Sequence, residues 1–409
     1  MTFMSLLAAF WCKFTKAYLY KVVFIALCLI FTCVNLQASR NAVNSESDSL
    51  RISLLTCSPG DEIYSAYGHS AVRVVDLKLG YDLVFNYGTF DFGTPYFIPK
   101  FLCGTLDYML SVSSYQRFVC AYEREQRDVV ESELILSTYE KVDLERFLFR
   151  NMQPENRFYR YDFFFDNCAT RIRDLVFRIS KRDVSAFQKA DEDETFRDCL
   201  HLYVGSERWY GQGIDLILGT RADRDISGYE KAMLPDFLEQ LLRRDGLLGE
   251  REQVLSCRRE ENDDMPVSPN VFSWGFVIAI LISSLIEWKR NKWFKWVDYL
   301  LFAVSSILSL LFCFLWLISE IKITSYNLNV LWASVLYIPM IVCLIRHKDM
   351  ATRRLAKLNI ILIAAFFAEA VCGIQYAPPI AIASAVCLMA RNILIVMRFN
   401  RSHEIKSMA

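Results

Sequence analysis

Five apolar runs in the C-terminal third of this 409-residue chain constrain its fold more than any other feature. The runs are Val271–Ile286, Tyr299–Ser319, Leu328–Ile345, Leu358–Ile374 and Ile380–Met397. A helix needs about 20 apolar residues to cross the hydrocarbon core of a bilayer, and a few less are tolerated. The sequence therefore predicts an all-α bundle of five transmembrane helices, and an ordinary cytosolic globule is excluded.

The charges between these runs predict which side of the membrane each loop faces. Lys and Arg cluster after the first, third and fifth runs, whereas the loops after the second and fourth runs carry no net charge. Because loops rich in Lys and Arg stay in the cytoplasm, the C-terminus is predicted to be cytoplasmic. Five spans then place residues 39–270 on the other side, which is the periplasm in a bacterium.

The N-terminus gives an independent indication of the same side. Three lysines precede the apolar run VVFIALCLIFTCV, which ends shortly before Ala38. This order is typical of an export signal peptide, and an uncleaved anchor helix is the alternative. The expected domains are a signal peptide or N-terminal anchor over 1–38, an exported domain over 39–265, a transmembrane domain over 266–400 and a cytoplasmic tail over 401–409.

The formal net charge of zero conceals an uneven distribution. Residues 39–270 hold 29 Lys or Arg against 40 Asp or Glu, whereas residues 271–409 hold 14 against six. A nucleic-acid-binding protein needs a basic face to contact phosphates, and the large exported region is acidic. We therefore exclude nucleic acid as a partner, and the membrane is the partner that the sequence indicates.

Local patterns in the exported region predict an α+β fold. Short runs with the strand period, bounded by turn residues, predict strands at Ser53–Cys57, Ser70–Asp76, Leu83–Thr89 and Glu131–Leu136. Capping patterns followed by helical spacing predict helices at Ser137–Asn151 and Asn167–Ile179. This order favours an antiparallel sheet with helices over a β-sandwich or a parallel doubly wound sheet.

Only two of the four histidines, His69 and His201, lie in the exported region. His69 begins a predicted strand directly after Gly68, where the missing side chain allows a close approach. Cys168 lies in the first turn of a predicted helix, where the helix dipole lowers the pKa of a thiol. A thiolate there and an imidazole that carries protons would form a nucleophilic pair. A structural cysteine and a hydrogen-bonded core histidine are the alternative.

The other cysteines predict neither a full disulfide framework nor a metal site. Six cysteines lie in the exported region, and once Cys168 is set aside the remaining five cannot all pair. The exported region has no Cys-x-x-Cys spacing, and two histidines cannot build a His-rich site. We therefore expect no metal and no cofactor.

Long motifs give the chain a resemblance to a known family. They are YGHSAVRV followed by NYGTFDF, then KFLCGTLDYMLS, then PENRFYRYDFFFDNCATRIRD. Over roughly residues 51–180 these motifs resemble the periplasmic domain of Lnb-type lipoprotein N-acyltransferases, in which a small membrane bundle follows. The order of His before Cys, with Cys168 opening a helix, is also similar to circularly permuted papain-like enzymes, including the NlpC-type and lecithin:retinol acyltransferase groups.

The resemblance implies a fold and a set of site residues. The exported domain would be a papain-like α+β domain, circularly permuted, with Cys168 and His69 as its catalytic pair. Asn86 would orient the imidazole from the neighbouring strand. Tyr87 and Asp91 are rivals for that role. The residues expected to bind substrate are Tyr67, Tyr161 and Asn167.

The resemblance also implies a reaction between lipid-anchored substrates in the bacterial inner membrane. Cys168 would accept an acyl chain from a phospholipid as a thioester, and the N-terminal amine of a diacylated lipoprotein would then receive the chain. Two alternatives stay open. One is a membrane-tethered NlpC-type cell-wall peptidase that uses the same pair on a peptide bond. The other is a non-enzymatic binding module of the envelope.

Two further features lie outside this reaction. An aromatic cluster follows the third predicted strand, and its members are Phe90, Phe92, Tyr96, Phe97 and Phe101. It is either a lip that enters the outer face of the bilayer or part of an ordinary core. Glu369 interrupts the fourth apolar run. Acids within a membrane are costly and often functional, and solvation near the outer interface is the alternative.

Overall fold

The computed structural model describes residues 49–257 and 267–408, with the backbone alone for residues 190–193 and 401–408. The predicted signal peptide or anchor over 1–38 lies outside the described residues. So does the predicted boundary between residues 265 and 266.

An antiparallel sheet forms the centre of the exported domain. The strands within the described residues are β1 (Leu50–Cys57), β2 (His69–Asp76), β3 (Tyr81–Thr89), β4 (Asp107–Ser114), β5 (Val129–Leu134), β6 (Phe158–Arg160), β7 (Ala190–Thr195), β8 (Asp225–Ser227) and β9 (Leu248–Leu255). Seven of them form one sheet in the order β6-β4-β3-β2-β1-β5-β9, and every pair is antiparallel. The predicted α+β class and the antiparallel sheet are confirmed.

Helices cover both faces of this sheet. They are α1 (Phe97–Cys103), α2 (Tyr115–Arg124), α3 (Thr138–Asn151), α4 (Cys168–Ser180), α5 (Phe196–Val204), α6 (Trp209–Ile217), α7 (Gly228–Lys231) and α8 (Pro235–Arg244). The predicted capping box of α3 is present, because Ser137 accepts from the N–H of Glu140 and the Glu140 carboxylate accepts from the N–H of Ser137 at 2.7 Å.

The main core lies between the sheet and the helices α3, α4 and α8. Its strand residues include Ile52, Val72 and Phe85, all fully buried. The opposite face of the same strands packs Leu55, Ala71 and Val84 against Phe118 of α2. The sheet is thus buried on both faces, and α4 is held with its first residue beside the beginning of β2 and the end of β3.

The C-terminal region is helical. Its helices are α9 (Pro269–Arg290), α10 (Lys295–Leu317), α11 (Tyr337–Ile345), α12 (Asp349–Val371) and α13 (Pro379–Met408). Among the described residues, three helical segments are long and apolar enough to cross a membrane, namely Pro269–Arg290, Lys295–Leu317 and Pro379–Asn400. The prediction of five spans therefore stays a prediction.

The other two apolar runs differ from a regular span for local reasons. In the third run, Asn329 accepts from the indole of Trp332 and Ser334 accepts from the N–H of Leu336, so polar side chains compete with the helix before the nine-residue α11 begins. The helix α12 has 23 residues, but its first three turns carry four charged side chains.

The charged residue within the last apolar run is paired inside the bundle. Arg391 is fully buried and donates to Asp298 at 2.7 Å and to Glu287 at 2.5 Å. Glu369, within the fourth run, lies two residues before the end of α12 and accepts from the N–H of Gln375 at 3.2 Å. Pairing thus explains how Arg391 is tolerated, whereas Glu369 is buried with one carboxylate oxygen unbonded among the described residues.

The exported domain rests on the loops that follow α10 and α12. The carbonyl of Cys103 accepts from the N–H of Glu320 at 2.8 Å, and the ring of His201 lies 5.4 Å from that of Tyr376. The side chain of Gln212 accepts from the N–H of Ile380 at 3.1 Å. These are the two loops that the charge pattern assigns to the periplasm, so the contacts agree with the predicted topology.

Candidate active site

Cys168 is held at the first position of α4 by its neighbour Asn167. The side-chain oxygen of Asn167 accepts from the N–H of Thr170 at 2.9 Å, which caps the helix. The amide nitrogen of Asn167 donates to the carbonyls of Phe163 at 2.6 Å and Met233 at 2.8 Å. Both N–H groups of that amide are therefore used within the protein. The side chain of Asn167 thus has a structural role, and its part in substrate binding stays a prediction.

His69 is placed by a glycine that tolerates no side chain. Gly68 has φ +76°, and a Cβ added there would lie 2.7 Å from the carbonyl oxygen of Cys57. Any larger residue would meet backbone and adopt a strained conformation. The expected close approach at Gly68 is confirmed, and the group that approaches is the neighbouring strand β1.

Cys168 and His69 lie close enough for each to shift the pKa of the other. Burial opposes ionisation of the Cys168 thiol. The pKa of that thiol is nevertheless lowered below its ordinary value, because the His69 ring attracts and hydrogen-bonds the thiolate, and because the backbone N–H groups of Ser70 and Ala169 donate to it. Burial opposes protonation of His69, but the thiolate and the hydrogen bond to Asn86 raise the pKa of the imidazole. Both shifts favour a thiolate–imidazolium pair.

Asn86 is the polar residue that contacts His69 from the neighbouring strand. The distance between His69 Nε2 and Asn86 Oδ1 is 3.1 Å, so Nε2 carries the proton and Nδ1 is left for the thiol. The rivals are engaged elsewhere. Tyr87 donates to Asn151 at 2.6 Å, and Asp91 accepts from the N–H of Gly93 at 2.8 Å.

The two tyrosines expected to bind substrate lie in different environments. A Cβ added to Gly88 would lie 3.7 Å from the ring of Tyr161 and 3.8 Å from the Cβ of Cys168, so both side chains lie beside Gly88. Tyr67 is buried, and its ring packs against those of Phe163 and Tyr203, with centroids 4.8 and 6.0 Å apart. The structure thus gives Tyr67 a packing position.

A residue that the sequence reasoning missed fixes the loop before Cys168. Arg171 donates to both carboxylate oxygens of Asp166, at 2.6 and 2.8 Å, and its guanidinium lies 3.4 Å above the ring of Tyr159. The motif DNCATR contains both members of this pair, but only the fold brings Tyr159 against them. Asp166 and Arg171 therefore hold the entry to α4 in place.

The second exported histidine belongs to a different cluster. His201 Nε2 lies 3.0 Å from both carboxylate oxygens of Asp215, which also accepts from Arg197 at 2.7 Å. This buried cluster faces Tyr376 of the membrane region. His201 is thus part of the contact between the two regions.

Away from Cys168, the described residues contain a cleft but no metal-binding cluster. Among the described residues, no group of three His, Cys, Asp or Glu side chains could hold a metal ion. A cleft of about 800 Å³ lies on the sheet beside Tyr115. Its lining includes two ion pairs, Arg73 with Glu131 at 2.8 Å and Lys141 with Glu133 at 2.9 Å.

Two family models match the chain. The Lnb N-terminal periplasmic domain matches residues 39–197, and the Lnb transmembrane domain matches residues 260–402. The first match contains Cys168, His69 and Asn86. No curated protein matches the chain, and no solved structure does. The likeness to papain-like enzymes therefore stays a prediction.

Proposed function

This chain belongs to the Lnb family and is a multi-pass membrane protein with a periplasmic N-terminal domain, and from that premise we propose that it is a lipoprotein N-acyltransferase of the bacterial inner membrane. The observation that carries the proposal is the juxtaposition of Cys168, His69 and Asn86 at the start of α4. Nucleophile, proton carrier and orienting group are the three parts that thiol catalysis needs. The proposed fold of this domain is the permuted papain-like one.

The first half-reaction forms an acyl-enzyme. The Cys168 thiolate attacks the ester carbonyl of a phospholipid, and the S–C bond forms as negative charge moves to the carbonyl oxygen. The positive end of the α4 dipole stabilises that charge. When the C–O bond breaks, His69 gives its proton to the alkoxide, and a lysophospholipid leaves.

The second half-reaction releases the acyl chain to the acceptor. The free α-amine of a diacylglyceryl-cysteine lipoprotein attacks the thioester, and His69 removes a proton from that amine. The C–S bond breaks, the thiolate is restored, and the product is a triacylated lipoprotein. Because both substrates are anchored in one bilayer, they meet at high effective concentration.

Five spans and the domain boundaries at 39–265 and 266–400 are part of this proposal. The loops after α10 and after α12 both contact the exported domain, through Glu320 and Tyr376 among others. The segment between them therefore crosses the bilayer twice or not at all. Arg346, Lys348 and Arg353 lie midway along it, and this basic turn favours a cytoplasmic position and two crossings.

Mass spectrometry of both half-reactions tests the function. The purified full chain is incubated with phospholipid vesicles and a synthetic diacylated lipopeptide. We expect an acyl mass on the Cys168 peptide that neutral hydroxylamine removes, and an N-acylated lipopeptide that depends on Cys168. An acyl-free Cys168 with cleavage of a cell-wall peptide would favour the peptidase instead. If neither product appears, a binding module is favoured.

A further inference from the structure

The exported domain carries a patch of large apolar side chains that face solvent. We call the patch the apolar lip, and its members are Ile63, Tyr64, Phe92, Tyr96, Ile98 and Phe101, which are 51 to 79% exposed. They belong to the loop before β2 and to the segment from β3 to α1. A contiguous exposed patch of this kind marks a surface that meets a membrane, a ligand or another protein.

The lip lies at the height of the outer membrane surface. The carbonyl of Leu102, in α1, accepts from the hydroxyl of Ser319 at 2.7 Å, and the carbonyl of Cys103 accepts from the N–H of Glu320 at 2.8 Å. Both partners directly follow α10, which is one of the candidate spans and ends at Leu317. The end of a span marks the edge of the hydrocarbon core, so α1 and its exposed side chains lie at that edge.

Aromatic rings continue from the lip to the thiol. The centroid distances along the row are 4.9 Å from Phe92 to Phe90, 5.1 Å from Phe90 to Tyr108 and 4.1 Å from Tyr108 to Tyr161. Tyr161 in turn lies with Cys168 beside Gly88. The aromatic cluster found in the sequence therefore divides in two, with Phe92, Tyr96 and Phe101 outward and Phe90 and Phe97 half-buried.

We propose that the apolar lip enters the outer leaflet and that the row of rings takes up one phospholipid acyl chain, leading its ester to Cys168. The second part of this inference, the delivery of the ester to Cys168, rests on the proposed acyl transfer. The occupant is a lipid rather than a protein because the patch adjoins the end of a span. The acidic charge of the domain gives anionic headgroups no attraction, so apolar contact provides the capture.

Photo-crosslinking tests the membrane contact without any chemistry at the thiol. The full chain carries p-benzoylphenylalanine in place of Phe92, in vesicles of phosphatidylethanolamine and phosphatidylglycerol. The matched control has it in place of Leu79, which is 70% exposed in the turn at the far end of β2 and β3. We expect several-fold more phospholipid adduct at 92 than at 79. Equal yields at the two positions, or an adduct with protein alone, would contradict the proposal that the apolar lip enters the membrane.

A combined variant tests whether the lip delivers lipid to the thiol. Phe92→Ser, Ile98→Ser and Phe101→Ser together are compared with Leu77→Ser and Leu79→Ser. All five positions are exposed, so neither change should unfold the chain. We expect acylation of Cys168 from vesicle phospholipid to fall about tenfold or more in the lip variant alone, since each buried apolar side chain contributes to membrane binding. Alkylation of Cys168 by iodoacetamide should be unchanged.

The two experiments distinguish a failure of the proposed membrane contact from a failure of the proposed reaction. If the wild-type chain acylates Cys168 and the lip variant equals its control, the delivery route is wrong and the acyltransferase stands. If residue 92 crosslinks to phospholipid while the wild-type chain never acylates Cys168, the lip stands as a membrane contact and the proposed reaction is wrong.

Discussion

Two buried thiols lie in different parts of the fold near the site, and the pKa of only one of them is lowered. Cys57 ends strand β1 and pairs with His69 across the β1–β2 ladder, while Cys168 begins helix α4. Their exposed fractions are 1% and 9%. Burial raises the pKa of Cys57 to about 12, whereas the pKa of Cys168 is lowered. Burial alone therefore does not decide which thiol ionises.

The difference comes from the hydrogen-bond donors that each element supplies. At the start of α4 the N–H of Ala169 has no partner within the helix, so it can donate to the Cys168 sulfur, as does the N–H of Ser70. Cys57 lies in a strand whose backbone bonds are used in the ladder, and its side-chain partner is the hydroxyl of Tyr122. A helix start supports a thiolate, and the end of a strand supports a neutral thiol.

Removing each thiol in turn is the strongest test of this difference. We expect Cys168→Ala to lower N-acylation of a diacylated lipopeptide by ~10⁴-fold or more, because a covalent route is lost with its nucleophile. Cys57→Ala should leave the rate nearly unchanged, because a protonated thiol cannot attack. The assay uses purified full-length variants, and thermal melting confirms that both are folded. Equal losses in the two variants would contradict the assignment of Cys168 as nucleophile.

The pH dependence of alkylation tests the imidazole. The Cys168 thiolate persists below the pH at which an ordinary thiol ionises and is lost as pH falls through the lowered pKa of Cys168. The imidazolium partner is lost as pH rises through the raised pKa of His69. In His69→Ala, burial dominates and the midpoint of iodoacetamide labelling should move to higher pH, with labelling at pH 7 about 10- to 100-fold slower.

The matched control for that experiment is His201→Ala. His201 is bonded to Asp215 in the contact with the membrane region, so its loss should leave the labelling profile of Cys168 in place. Labelling of Cys57 in the folded protein below pH 12 at a rate similar to that of Cys168 would remove the contrast between the thiols.

The local part of the fold could be predicted from the sequence, and the long-range part could not. Strand β2 was predicted from the alternation of apolar and polar residues, and helix α4 from the cap at Asn167. The observed bounds of both elements differ from the predicted ones by no more than one residue. Strand β5 begins and ends two residues before its predicted bounds. Strand β9 was missed because its partner β5 lies more than a hundred residues away, and half of its residues are exposed and polar.

The same division applies to the site. Cys168 and His69 were predicted from residue chemistry and Asn86 from the family resemblance, and the structure brings all three together. The Ser70 donor is a backbone group, which composition does not reveal. The bond from Asn167 to Met233 joins segments far apart in the chain, so the structural role of Asn167 became visible only in the folded protein.

Asn86 is expected to position the imidazole, with a smaller effect than loss of the pair. Asn86→Ala should lower kcat for acyl transfer about 10- to 100-fold, as removal of an orienting partner of a functional histidine does. Asn86→Asp keeps an acceptor oxygen for Nε2 and should retain most of the activity.

The matched control is Tyr87→Phe. It removes a hydroxyl that donates to Asn151 and should lower the free energy of unfolding by only about 1 kcal/mol. A larger loss of kcat in Tyr87→Phe than in Asn86→Ala would transfer the role to the tyrosine.

The two helix caps provide the finest test of why α4 activates its cysteine. Ser137 caps α3 and Asn167 caps α4, so alanine at either position should lower the free energy of unfolding by ~1 kcal/mol. Asn167→Ala should cost about 1 kcal/mol more, because it also releases the carbonyls of Phe163 and Met233. Chemical denaturation measures both losses.

Only Asn167→Ala should also raise the pH midpoint of Cys168 alkylation, since a frayed helix start no longer holds its N–H groups against the thiolate. An unchanged midpoint in that variant would mean that the N–H groups at the start of α4 do not lower the pKa of Cys168.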